Sequence, residues 1–189
     1  MVAEPSAFRV ARLQPGDAAA FQQLRLQALQ AHPLAFGATV AEQTALTLQT
    51  VATMLAQPDS PAWGVWTTPL HTPAQLLGMV ALQRHNATKM VHLAELWGLY
   101  VHPGARGHGM ADALLHALMA HARTMPGLRQ VRLAVASHNH AAIALYLRHG
   151  FVRHARYPEQ LCVDGVYCDE DGMLCHLLPQ PCTLPRLHT

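Results

Sequence analysis

Two stretches hold the residues whose types and spacing could do chemistry: Leu99 to Leu115, LYVHPGARGHGMADALL, and Val135 to Phe151, VASHNHAAIALYLRHGF. In the first, Gly107 and Gly109 flank His108 and let the backbone approach a ligand with no Cβ in the way. The amides that open the helix beyond them, at Met110 and Ala111, lack intrahelical partners and carry the positive end of the helix dipole, so they favour a phosphate or pyrophosphate group. Arg106 adds a cation at the mouth. The turn has neither the Gly-Lys-Ser/Thr of a Walker loop nor the GxGxxG of a dinucleotide fold, and on spacing alone it reads first as a tight strand-to-helix corner. In the second stretch Asn139 and Tyr146 stand seven residues apart, two helical turns, and therefore share a side. On its own Tyr146 reads as a core tyrosine with a satisfied hydroxyl. Glu95 is a lone carboxylate in an otherwise apolar strand, so it must either reach water or be used.

Taken together, the two stretches resemble the GNAT superfamily of acyl-CoA-dependent N-acyltransferases. The family's first motif is V-x-P-x-x-R-G-x-G-x-A, filled here by Val101, Pro103, Arg106, Gly107, Gly109 and Ala111. After a strand comes N-x-x-A-x-x-L-Y-x-x-x-G-F, filled by Asn139, Ala142, Leu145, Tyr146, Gly150 and Phe151. The match is tight from Glu95 to Phe151 and loose elsewhere.

The resemblance implies an α/β GNAT fold: a mixed, mostly antiparallel sheet with a central splayed parallel strand pair and helices on both faces. It implies that the pantetheine arm of acetyl-CoA enters between Ala94–Val101 and Val131–Ala136 and pairs with the first strand's backbone, at Leu99 and Val101. The pyrophosphate would lie over the amides of Gly107, His108, Gly109, Met110 and Ala111, with Arg106 beside it. Asn139 would hold the pantetheine chain, and the Tyr146 hydroxyl would stand near the sulfur, where a departing thiolate needs a proton. An amine with a pKa near about 10 is mostly protonated at neutral pH, so a base is required. Glu95, six residues before Val101 and read as sharing its strand parity, matches the catalytic glutamate of some protein-lysine acetyltransferases in the superfamily. His85, His92 and Glu42 are weaker candidates for that role.

The implied function is direct transfer of an acetyl group from acetyl-CoA to a primary amine, because no Cys-His or Ser-His-Asp set is visible in the motif region. The rival is a non-catalytic acyl-CoA-binding domain acting as a sensor or interaction module. Nothing marks the acceptor: there is no acidic cluster for a polycation. A homodimer is allowed for.

The elements that must position these groups follow from pattern. Phe8 to Leu13 alternates as a strand, and Pro15-Gly16-Asp17 breaks it, with Asp17 placed to cap a helix over Asp17 to Ala31. Ala41 to Gln57 reads as a second helix; by resemblance this two-helix region borders the acceptor pocket, and Phe36 is either a core plug or a pocket wall. Trp63 to Thr67 and Leu76 to Arg84 read as an antiparallel meander across the Pro69 to Pro73 connection, and Ala94 to Val101 reads as a strand covered on both faces. A helix from Gly107 to Thr124 and a strand from Val131 to Ala136 complete a parallel, right-handed unit. Asn139 to Arg148 is a short helix ended at Gly150. A strand follows over Phe151 to Tyr157, and Asp164-Gly165 signals a type I′ hairpin within antiparallel strands that close by Leu178.

The 189 residues suit one domain, with residues 180–189 a frayed Pro-rich tail. Apolar residues make up 51% and charged ones 13%, which excludes a disordered chain. A formal charge of +2 gives no field for nucleic acid. The absence of an apolar run of membrane-spanning length or of a leader pattern predicts a soluble, cytoplasmic protein. Cys162, Cys168, Cys175 and Cys182 show no CxxC knuckle, so they are expected as free thiols without a metal.

Overall fold

The computed structural model describes residues 8–68 and 74–177. In chain order these are β1 (Phe8–Arg12), α1 (Ala18–Ala31), α2 (Val40–Ala45), α3 (Leu48–Leu55), β2 (Ala62–Thr67), β3 (Leu76–Arg84), β4 (Leu93–Val101), α4 (Met110–Thr124), β5 (Gln130–Ala136), α5 (His140–Arg148), β6 (Val152–Val163) and β7 (Val166–His176). The strands form a seven-stranded sheet ordered β1-β2-β3-β4-β5-β7-β6. Every neighbouring pair is antiparallel except β4 and β5, which are joined through α4 and run parallel. This is the mixed α/β sheet with a central parallel pair that the motifs imply.

Helices cover both faces. On one face, Leu114, Leu115, Leu118 and Met119 of α4 and Ile143, Leu145 and Tyr146 of α5 bury against Val65, Val80, Leu82, Ala94 and Leu96 of the sheet. The α4 residues recur at i, i+1, i+4 and i+5, so one stripe of the helix carries the contact. On the other face, Phe21, Leu24 and Ala28 of α1 and Val51 and Leu55 of α3 pack on Met79, Ala81 and Tyr100. Each buried leucine contributes about 1.5–3 kcal/mol, which makes the α4 stripe a principal source of stability.

Four local features differ from the pattern reading. The Ala41 to Gln57 segment is two helices, because Thr39 and Thr47 each accept an amide bond three residues on, from Glu42 and Thr50, and so start separate helices. Asp17 does not cap α1; its carboxylate accepts from the Gln14 amide at 2.7 Å and closes the Pro15–Asp17 turn. Helix α4 starts at Met110, since Gly107 (φ 82°) and Gly109 (φ 75°) are left-handed and cannot be helical. Strand β6 runs on past Tyr157 to Val163, absorbing irregularities at Arg153/Ala155 and Tyr157/Leu161. The Asp164-Gly165 turn has both residues at positive φ, as a type I′ turn requires. The Pro69 to Pro73 connection, Leu178, Cys182 and the 180–189 tail lie outside the described residues.

Candidate active site

The ladder between β4 and β5 is short. Only Leu93↔Gln130, Ala94↔Val131 and Glu95↔Arg132 are paired, and beyond them the two strands diverge. The β5-facing backbone of β4 from Leu96 onward therefore has no strand partner, and a cavity of about 810 Å³ opens in the gap. Its walls are the ends of β4 and β5, the turn from His32 to Phe36, and the start of α5, and they include Leu99, Val101, Arg106, Ala111, Asn139 and Tyr146. Six of the residues singled out from sequence thus share one hollow. Gly107, His108, Gly109 and Met110 form the adjoining corner and are not among the lining residues.

A bulge shapes the β4 wall. Met79 pairs with Tyr100 and Ala81 with Trp97, so Gly98 and Leu99 together oppose Val80 alone. Gly98 sits at φ 69°, a conformation that a side chain resists. The extra residue also reverses the parity assumed for Glu95: Val101 faces α4 with Ala94 and Leu96, and Glu95, adjacent to Ala94, faces the other way. An isolated glycine inside a strand pattern is the signal that could have revealed this.

At the corner before α4, the handedness alternates from Arg106 (φ −70°) through Gly107 and His108 to Gly109. The first intrahelical bond is donated by Ala113 to the Gly109 carbonyl at 3.0 Å, leaving the Met110, Ala111 and Asp112 amides for another acceptor. Arg106 is held against the cavity rather than loose at the mouth: Nε donates to the Val101 carbonyl at 3.0 Å and Nη2 lies 3.0 Å from His32 Nε2. Asp112 in the first turn of α4 would oppose an anion. Although partial burial disfavours its charge, bonds from His149 at 3.2 Å and Arg148 hold its carboxyl below the usual range, and the Arg148 guanidinium offsets its field at the corner.

Tyr146 lies within α5 with its ring 5.7 Å from that of Phe151 and is 6% exposed. Burial pushes its phenol well above the usual value, so near neutrality it can give a proton but not take one. Asn139 caps α5, with Oδ1 accepting from Ala142 N at 3.1 Å, which leaves its amide NH₂ as the free end. Glu95 lies at the paired root of the splay and is not among the cavity-lining residues; Oε1 is 3.2 Å from His85 Nε2, so one of the weaker candidates is its neighbour. His92 is exposed, and the Glu42 carboxylate is engaged at the Thr39 cap, which lowers its pKa. Phe36 does both things considered for it: it lines the cavity and packs on the α1 core.

Three groups were missed. Glu170 of β7 is 7% exposed and stands opposite Ala136, a wall residue, and burial raises its carboxyl above the usual value. Cys168 Sγ lies 3.6 Å from His138 Nδ1, so a Cys-His pair does touch the motif region, contrary to the sequence reading. Burial first, then Glu170 and Asp169, push that thiol up, which keeps it protonated and a poor nucleophile. Arg25 of α1 is the third; it is buried beside Phe36 and Trp97. All three come from distant segments and had no local signal. Among the described residues no three His, Cys, Asp or Glu side chains gather to hold a metal, and no helix is long and apolar enough to cross a membrane.

A splayed parallel pair, a bulged strand and a glycine corner ahead of a helix thus border one cleft. The model of the acetyltransferase (GNAT) family matches residues 30–151, and the chain belongs to that family. It is 40% identical over 79 residues to mycothiol acetyltransferase of Salinispora tropica, covering 42% of this chain and 26% of that protein. Over 63 residues it is 46% identical to mycothiol acetyltransferase of Geodermatophilus obscurus, covering 33% of this chain and 20% of the relative. The matches therefore span about a quarter or less of those relatives' length. In fold, it superposes on a GNAT-family acetyltransferase from Streptococcus pneumoniae with a TM-score of 0.78 at 17% identity, over 90% of this chain and 99% of the other. It also superposes on yncA of Salmonella typhimurium, solved with its cofactor acetyl-CoA, at 0.75 and 20% identity, over 93% and 96%.

Proposed function

We propose that the protein transfers an acetyl group from acetyl-CoA directly to a primary amine. The observation that carries this reading is the gap between β4 and β5, where unpaired strand backbone, a corner of free amides and a buried tyrosine hydroxyl border one cavity. The pantetheine arm runs along Leu99 and Val101 in place of a strand, and the pyrophosphate sits over the amides of Gly107 to Ala111. Arg106 and the NH₂ of Asn139 fix the arm between them. When bound, acetyl-CoA supplies the activated thioester; the chain's residues orient the amine and move two protons.

The amine nitrogen forms a bond to the thioester carbon as the carbon–sulfur bond breaks. The amine's proton leaves through water to Glu95, paired with His85, and Tyr146 gives its proton to the departing sulfur. Tyr146 is suited to this because burial keeps it protonated across the working range. Direct transfer is favoured over an acyl-enzyme because Cys168 is held as a thiol. Incubating the protein with acetyl-CoA and a panel of amines, with free thiol as the readout, tests the reading. Amine-dependent thiol release supports it. Tight acetyl-CoA binding with no acetylated amine would replace it with the sensor reading.

A further inference from the structure

Arg25 is a charge buried without a counter-charge. Its side chain is 5% exposed, and among the described residues no carboxylate forms a salt bridge with it. Its Nε and Nη1 have no hydrogen-bond partner, and neither has Nε1 of Trp97. The guanidinium lies 4.7 Å over the Phe36 ring and 5.5 Å over the Trp97 ring. Burial alone brings its pKa down to about 10, which leaves it a cation at neutral pH. A buried cation with unmade hydrogen bonds is costly, and cation–π contacts return only about 1–2 kcal/mol each. Native interiors seldom leave three donors unmet at one place unless something is to occupy it.

The geometry says where that something sits. Phe36, Trp97 and Gly98 all line the cavity between the splayed strands. From Gly98, at the β4 bulge, a Cβ would meet nothing within 4 Å except Arg25 Nη1 at 3.9 Å. Arg25 is not itself a lining residue; with no side chain at Gly98, its guanidinium lies directly behind that part of the cavity wall.

We propose that the acceptor is an amine that also carries a carboxylate, seated over Gly98 with its anionic group taken by Arg25 and Trp97 Nε1. This rests on the acyl-transfer reading and narrows it to amino-acid-like acceptors. The carboxylate neutralises the buried cation, satisfies the orphaned donors and fixes the amine near the thioester. A simple alkylamine offers none of these bonds, so the site rejects it by leaving polar groups unpaired.

The test is calorimetric and needs no turnover. N-acetylglycine, its amide and inorganic phosphate are titrated into the full chain saturated with CoA, and CoA binding is measured separately. We expect N-acetylglycine to bind roughly 10- to 100-fold more tightly than the amide, the usual scale for a charged hydrogen-bonded pair. Phosphate should bind no better than the amide. Arg25→Met should erase the preference while CoA affinity holds and the melting temperature stays or rises, since an unpaired charge has left the core. Trp97→Phe, which removes one donor and keeps the ring, should weaken N-acetylglycine binding several-fold. Equal affinity for acid and amide, or a preference that survives Arg25→Met, overturns the proposal; phosphate binding most tightly would overturn the carboxylate assignment. Loss of CoA binding in the parent would sink the acyl-transfer reading instead, with the carboxylate preference still measured.

Discussion

Replacing Gly109 by aspartate puts a negative charge where the pyrophosphate of CoA is proposed to lie, and the structure separates that charge from steric effects. A Cβ at Gly109 meets nothing within 4 Å, so bulk is not the obstacle. Backbone strain is: at φ 75° an ordinary L residue costs about 1–2 kcal/mol, although aspartate tolerates this region better than most. Gly109 is also the N-cap of α4, where an aspartate gains only about a few tenths of a kcal/mol over glycine. Stability should therefore fall by about 1 kcal/mol. Binding should suffer more: one unit charge about 5 Å from another, at an effective dielectric near 20, opposes it by about 3 kcal/mol. Every 1.4 kcal/mol is tenfold, so Kd for CoA should rise by roughly 10²-fold or more. Calorimetry with CoA reads the loss, and Gly109→Ala supplies the control, with the strain but not the charge and an affinity within a few-fold of the parent. The aspartate penalty should shrink at 1 M salt, where screening falls to about 3 Å. If Gly109→Asp binds CoA as tightly as the parent at low salt, the pyrophosphate does not lie at this corner.

The remaining predictions concern proton transfer and burial. Tyr146→Phe keeps the ring packed on Phe151 and removes only the hydroxyl, so kcat should fall by roughly 10²-fold or more with CoA affinity intact, as steady-state and binding measurements together would show. Unchanged turnover would remove Tyr146 from the chemistry. Glu95→Gln should lower kcat/KM most near neutral pH, and the deficit should close as rising pH deprotonates the amine unaided; a loss of equal size at every pH would mean that Glu95 orients the acceptor or holds the strand instead. Glu170 sets a stability signature. Burial raises its folded pKa, so the unfolded chain gives up this proton first and the group's contribution to stability declines as pH climbs from the unfolded carboxylate value through the folded one. Glu170→Gln should therefore melt higher than the parent at pH 7 and match it at about pH 3, below both values; a difference independent of pH would show that its charge is not under strain.

The chain's own order of residues settled much of this molecule. The glycines at 107 and 109, the apolar stripe of α4, the Asn139 to Tyr146 spacing and the Asp164-Gly165 turn are local signals, each a consequence of backbone sterics or helical period that needs no distant partner. They were enough to indicate the family and the strand pair that opens. Local pattern failed where a decision needed the third dimension. Thr47 starts a new helix inside an apolar-periodic run because its side chain, not the period, meets the Thr50 amide. Glu95 turned to the face opposite Val101 because Gly98 adds one residue to β4 against a single residue of β3, and a period-2 reading cannot survive an insertion. Arg25, 70 or more positions from Trp97, and likewise Glu170 and the Cys168–His138 pair, acquired their environments only when distant segments of the chain packed together. Burial, lost solvation and unmet hydrogen bonds are properties of the packed chain, and it was packing that turned an ordinary surface-type arginine into the feature that selects an acceptor in the proposal above.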